Sequence, residues 1–159
     1  MTLSSALALF AFLVVSFAVA SSGAVFKPGE WYRGLDKPSW TPPNWAFPVV
    51  WSVLFLMIAV SGWLVWREVG LAPSAFAFYA LQLVLNGLWS YLFFGRRRPD
   101  IAFFDLVALW LAIVATIFAF APISALAAWM LVPYAAWVTI AGLLNYSVWR
   151  LNPGRFATS

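Results

Sequence analysis

Gln82, Asn86 and Ser90 recur at every fourth position of one long apolar segment, so on a helix they share a single face. Amides and a hydroxyl in such a segment find no water in a bilayer, and that face is expected to turn into a bundle of helices. A second stripe, Pro133, Trp137, Ala141 and Asn145, sets a large indole, a small gap and an amide at the same spacing. Trp51 and Phe55 add an aromatic pair four residues apart. Each amide alone is explained by bonding between helices. Together, aromatic walls, a few orienting donors and room beside Ala141 describe a cavity for a lipophilic ligand.

The residue inventory narrows the chemistry further. The chain has no His and no Cys, which excludes thiolate nucleophiles, disulfides, iron–sulfur clusters, structural zinc and the usual general base. No metal site and no required cofactor is expected. The commonest axial ligands of haem are missing too.

The elements that position these residues follow from hydropathy. Of 159 residues, 65% are apolar and only 9% charged, and the mean hydropathy is +0.92. Soluble domains carry about a quarter charged residues, so this is an integral membrane protein. Its apolar runs predict an all-α membrane domain of five transmembrane helices, at about residues 3–25, 44–66, 74–94, 101–120 and 124–151, in a single domain over 1–159. The first run ends in Ala18-Val19-Ala20, like a signal-peptidase site, but no basic residue precedes Lys27. A retained helix is expected. Small residues four apart, Ala18 with Ser22 and Ala20 with Ala24, predict close packing of its last turns. Gly95 before Arg96, Arg97, Arg98 and Pro99 reads as a helix stop, and Asp100 as the cap of the fourth span.

Residues 31–51 form the least ordinary stretch. Four tryptophans (Trp31, Trp40, Trp45, Trp51) stand among four prolines (Pro38, Pro42, Pro43, Pro48). Prolines fix φ and remove donors, so up to Pro43 a shaped loop is expected. Indoles on a braced loop suit a membrane interface or a pocket lid. With five spans, this loop, the Arg96–Arg98 run and the C-terminus share one face with Lys27, Arg33, Lys37, Arg150 and Arg155, and the other face has only Arg67. The positive-inside rule makes the basic face, with its loop and C-terminus, cytoplasmic and the N-terminus external. The arginines are an orientation signal rather than a nucleic-acid patch, since no aromatic platforms interleave them. Asp105, just over a turn into the fourth span, could handle a proton, but the role expected of it is that of an interfacial acid, paired with Arg96, Arg97 or Arg98 or favoured by the helix N-terminus. Tyr32, Trp66 and Trp149 read as interfacial anchors. Leu144, Tyr146 and Arg150 fit the spacing proposed for sterol contact.

Four strings carry a resemblance. They are Lys37-Pro38-Ser39-Trp40-Thr41-Pro42-Pro43-Asn44-Trp45-Ala46-Phe47-Pro48-x-x-Trp51, Tyr79-x-x-Gln82-Leu83-x-x-Asn86-x-x-Trp89-Ser90-x-x-Phe93-Phe94, Pro133-Tyr134-x-x-Trp137 and Leu144-Asn145-Tyr146-x-x-Trp149-Arg150. Over nearly the whole chain they resemble the translocator proteins, also called tryptophan-rich sensory proteins or peripheral-type benzodiazepine receptors. The resemblance implies a five-helix membrane bundle, commonly a homodimer, whose cavity is closed by the first loop. It implies tetrapyrrole ligands (porphyrin, haem), cholesterol, and isoquinoline or benzodiazepine drugs. By motif, Trp51 and Asn86 would present N–H donors to a ligand carbonyl, Trp137 would form an aromatic wall with Phe55 and Phe93 or Phe94, and Ser90 would line the same face. Ala141 would be the small pocket position, Tyr32 and Pro43 would belong to the lid, and Leu144, Tyr146 and Arg150 to the sterol motif. Ser39 stands where some bacterial relatives have a second tryptophan, which removes one stacking surface.

Three functions remain open at this level. The first is a receptor or sensor in the bacterial cell membrane that binds a tetrapyrrole and regulates its homeostasis. The second is light- and oxygen-dependent porphyrin breakdown with Trp51 and Trp137 as redox-active neighbours, since no acid–base pair supports ordinary turnover. The third is a passive carrier of porphyrin or sterol, for no charge stands mid-span to couple an ion.

Overall fold

The computed structural model describes residues 1–156 and is helical throughout, with no strand among the described residues. Five segments are long and apolar enough to cross a membrane: Leu3–Val25, Ala46–Val69, Pro73–Gly95, Pro99–Phe120 and Ala125–Leu151. The five expected spans are all present, and their edges differ for local reasons.

The first span breaks at Ser21 into α1 (Leu3–Ala20) and α2 (Ser22–Val25). The Ser21 hydroxyl donates to the carbonyl of Ala18 at 2.5 Å, a local bond of the kind that bends helices. One helical turn, α3 (Glu30–Arg33), follows inside the expected loop. The second span, α4 (Ala46–Val69), starts after Pro42 and Pro43 and holds Pro48 in its first turn, where a missing N–H has no partner to lose. Next comes α5 (Pro73–Ser90), opened by proline at its first position.

The stop at Gly95 takes another form than the sequence suggests. Tyr91–Gly95 is a π turn, with Arg96 N–H bonded to the Tyr91 carbonyl at 2.7 Å. The residue that adopts a left-handed backbone is Arg97, at φ 54°. Gly95 is needed for space instead, because a Cβ there would lie 2.9 Å from the Phe26 ring.

The fourth span, α6 (Pro99–Phe120), is capped at Arg98 and not at Asp100, which lies within its first turn and pairs with that arginine. The fifth span divides at Leu131 into α7 (Ala125–Met130) and α8 (Val132–Leu151), because Pro133 cannot donate to the preceding turn. Ser124 caps α7, accepting from Ala127 N–H at 3.2 Å.

In space, α6 packs between α5 and α8, and α4 between α1 and α7. The close approach of the first span is made by other residues than the expected small pairs. Ala18 and Ala24 are exposed, Ala20 alone packs on the main core, and the tight contact is at Gly62 of α4. A Cβ at Gly62 would come within 2.6 Å of the Tyr79 hydroxyl and 2.8 Å of Phe12. That gap lets Tyr79 reach across α4 and donate to the Ile58 carbonyl at 2.9 Å.

The buried apolar residues form two clusters. The main one runs through the bundle from Leu54 to Val138, and the smaller one, around Leu35, Phe93, Ala102, Leu144 and Val148, closes the end where residues 31–37 lie.

Candidate ligand site

Both clusters meet along a column of rings. The α3 turn lays Trp31 and Tyr32 on the small cluster, with the Trp31 ring 5.9 Å from Phe93 and the Tyr32 ring 5.6 Å from Phe94. Phe93 is buried and stacks on Trp89 at 5.1 Å. Lys37 sits 4.5 Å above the Tyr32 ring and donates to the Leu35 carbonyl. Burial raises the Tyr32 phenol above its ordinary pKa, so the ring stays neutral under that ammonium. Deeper in, Phe47 meets Trp137 edge-on at 5.8 Å, and Trp51 lies 5.6 Å from Phe55 and 6.1 Å from Tyr134.

Polar groups thread this column, and most are satisfied. The Tyr134 hydroxyl accepts from Asn86 Nδ2 at 2.6 Å and donates to Gln82 Oε1 at 2.8 Å. Asn145 accepts from Trp89 Nε1 at 3.0 Å and donates to the Pro99 carbonyl at 2.7 Å, tying three spans together. Two donors in the column are left over: Trp137 Nε1 and Gln82 Nε2 are buried without an acceptor. An unpaired N–H in an apolar interior is unfavourable and is rare unless something else is meant to bond it.

The stripes expected from the sequence are largely met. Gln82, Asn86, Ser90 and Phe55 are buried, and Trp51, Trp137 and Ala141 are half-buried against the main core. Asn86 faces inward, and one of its two amide N–H groups is given to Tyr134. On the fifth span Pro133 is exposed, and its neighbour Tyr134 is the inward residue. Sequence reasoning passed over Tyr134. The signal was available, since two amides facing inward from α5 require a partner on another span.

Other residues lie apart from the column. Pro43 is exposed in the loop just before α4, its carbonyl accepting from Ala46 N–H at 2.9 Å. Leu144 points into the small cluster, whereas Tyr146 and Arg150 are exposed, the Tyr146 ring lying 5.4 Å from Phe103. The three residues of the sterol pattern therefore do not share a face.

Asp105 does not pair with the arginines. It is buried, 8% exposed, and neither of its oxygens has a partner. Arg98 instead grips Asp100 with two bonds of 2.9 and 2.6 Å, which raise the pKa of its guanidinium further.

Two open grooves lie away from the column. One of about 620 Å³ runs between the start of α1 and Trp63, Trp66 and Arg67, and one of about 400 Å³ lies between Arg98, Trp149 and Asn152.

Comparison with known proteins matches the profile of the TspO/MBR family to residues 7–150. The protein CrtK of Rhodobacter capsulatus is 48% identical over 152 residues, covering 93% of this chain and 95% of its own. A tryptophan-rich sensory protein of Cereibacter sphaeroides is 40% identical over 91% of this chain and 90% of its own. The translocator protein of Homo sapiens is 42% identical over 83% of this chain and 82% of its own.

Proposed function

The chain belongs to the TspO/MBR family of multi-pass membrane proteins, and from that premise we propose that it is a receptor that binds porphyrin in the aromatic column under the lid formed by residues 30–37. The observation that carries this reading is Trp137. Its indole N–H is buried without an acceptor, while its ring packs on Phe47 where the two clusters meet. A flat, lipophilic ligand with a carbonyl, carboxylate or ring nitrogen supplies what the site lacks: π-faces for Trp51, Phe55 and Trp137 and an acceptor for the donor. The donor role that the resemblance gives to Asn86 is taken first by Trp137 in this reading, since Asn86 already gives one N–H to Tyr134 and the Trp137 N–H has no acceptor. Arg96 and Arg97 are exposed at the lid end and suit propionate groups.

Quenching of protein fluorescence by metal-free protoporphyrin tests this reading. In the dark it is expected to saturate, and Trp137→Phe, which keeps a ring and removes the donor, should weaken binding about three- to tenfold, the worth of one hydrogen bond. Unchanged affinity would remove Trp137 from the donor role. Bleaching of the porphyrin only under illumination, and its loss in Trp51→Phe, would replace the receptor reading by photo-oxidative breakdown.

We further propose that the lid end is cytoplasmic, on the distribution of basic residues. Because the chain has no cysteine, single cysteines at Arg97 and Arg67 report this directly. An impermeant maleimide on intact cells should label the second and spare the first, and the reverse pattern would invert the topology.

A further inference from the structure

Asn152 lies beyond the last residue of α8, yet it is only 2% exposed. Its carboxamide is fully used. Oδ1 accepts from the Asp36 N–H at 3.0 Å, and Nδ2 donates to the Asp36 carbonyl at 2.9 Å and to the Val148 carbonyl at 2.8 Å. One side chain thus pairs with both backbone groups of a lid residue, as a neighbouring strand would, while anchored to the last turn of α8. Two further contacts follow along the same segment. The Arg155 guanidinium donates to the Gly34 carbonyl, and the Phe156 ring stands 6.0 Å from Trp31, edge-on.

Lid positions 31, 34 and 36 are therefore each held by residues 152–156, more than a hundred positions away in the chain. The flanking connections offer less restraint. The Arg33–Glu30 ion pair within the lid is exposed on both sides, and Trp40 and Trp45 beyond it are exposed. Between the held points, Leu35 is buried in the small cluster under which Phe93 and Trp89 stack.

We infer that Asn152 is a positioning residue for the lid, and that residues 152–156 form a strap whose release sets the rate at which ligand enters and leaves the column. This rests on the reading of the column as the ligand site. A simple helix cap would need only the bond to Val148, and the two bonds to Asp36 would have no purpose in it. The Asp36 bonds are among those that must break for the lid to lift, and the strap acts on exchange because all its side-chain hydrogen bonds go to lid backbone or to the last turn of α8.

The test compares wild type with Asn152→Leu and with the paired exchange Arg155→Ala and Phe156→Ala. The second variant leaves the Asn152 contacts in place and removes only exposed or half-buried groups at the far end of the strap. Amide hydrogen exchange in membranes or detergent should accelerate at residues 30–37 in both variants, with α4 to α6 unchanged. Stopped-flow quenching by metal-free protoporphyrin in the dark should show association and dissociation both faster, on the order of tenfold for Asn152→Leu, with the dissociation constant moved far less. Unchanged exchange at 30–37 overturns the strap. Faster lid exchange with unchanged porphyrin rates overturns its control of access. If wild type does not bind porphyrin, the receptor reading fails by itself, and the exchange at 30–37 still decides whether residues 152–156 hold the lid. Should Asn152→Leu fail to fold, the paired variant gives the same two readouts.

Discussion

Tyr134→Phe is expected to lower the stability of the detergent-solubilised protein by about 1–3 kcal/mol, the price of buried polar groups left without partners. The ring would remain, so the edge contact with Trp51 and the packing of α8 on the bundle should persist. What disappears is one oxygen that serves two amides, accepting from Asn86 and donating to Gln82. Gln82 already has an unpaired Nε2, and the change would strand its Oε1 as well. The loss should appear as a lower midpoint in thermal unfolding followed by tryptophan emission. Adding Gln82→Leu to Tyr134→Phe should return part of it, because an apolar side chain removes the stranded groups instead of leaving them buried. An unchanged midpoint for Tyr134→Phe would mean that the amides reach other acceptors, and that the network does not hold α5 to α8.

That network shows how far sequence reasoning reaches here. Periodicity alone placed Gln82, Asn86 and Ser90 on an inward face, because a bilayer leaves such groups nowhere else to go. It could not choose between Pro133 and Tyr134 on the fifth span, since the stripe was counted from the proline and the helix restarts at Val132. One position is about 100° of helix rotation, enough to put the wrong neighbour inside. The five spans were legible from hydropathy, and so was the loop, since four prolines and four tryptophans between apolar runs admit few conformations. The pairing of that loop with residues 152–156 was not legible. Asn152 next to Pro153 and Gly154 reads as an ordinary helix end, and only the fold brings Asp36 within reach of its carboxamide. Charge pairing failed for a related reason. Sequence proximity offered three arginines to two acids, and the nearer acid, Asp100, took the bidentate geometry.

Asp105→Ala should therefore raise stability, by about 1–2 kcal/mol, where removal of a paired acid would lower it. The carboxyl is buried in α6 with both oxygens unpartnered, and an unpaired polar group in an apolar interior costs about 1–3 kcal/mol by mutational measures. Truncation to Ala removes that burden and keeps a strong helix former. The cavity it opens is about the size of one carboxyl group and costs roughly 0.5 kcal/mol. Asp100→Ala supplies the contrast, since it breaks two bonds to Arg98 at the start of the same helix and should destabilise slightly. Opposite signs for these two variants would show that acids a little over one turn apart do different work. A loss of stability in Asp105→Ala would mean that the acid does find a cation such as Arg96 or Arg97, as its place in the sequence suggests. A gain in stability accompanied by weaker porphyrin binding would instead mark Asp105 as a group kept for the ligand at the expense of the fold, and would extend the site from the column toward α6.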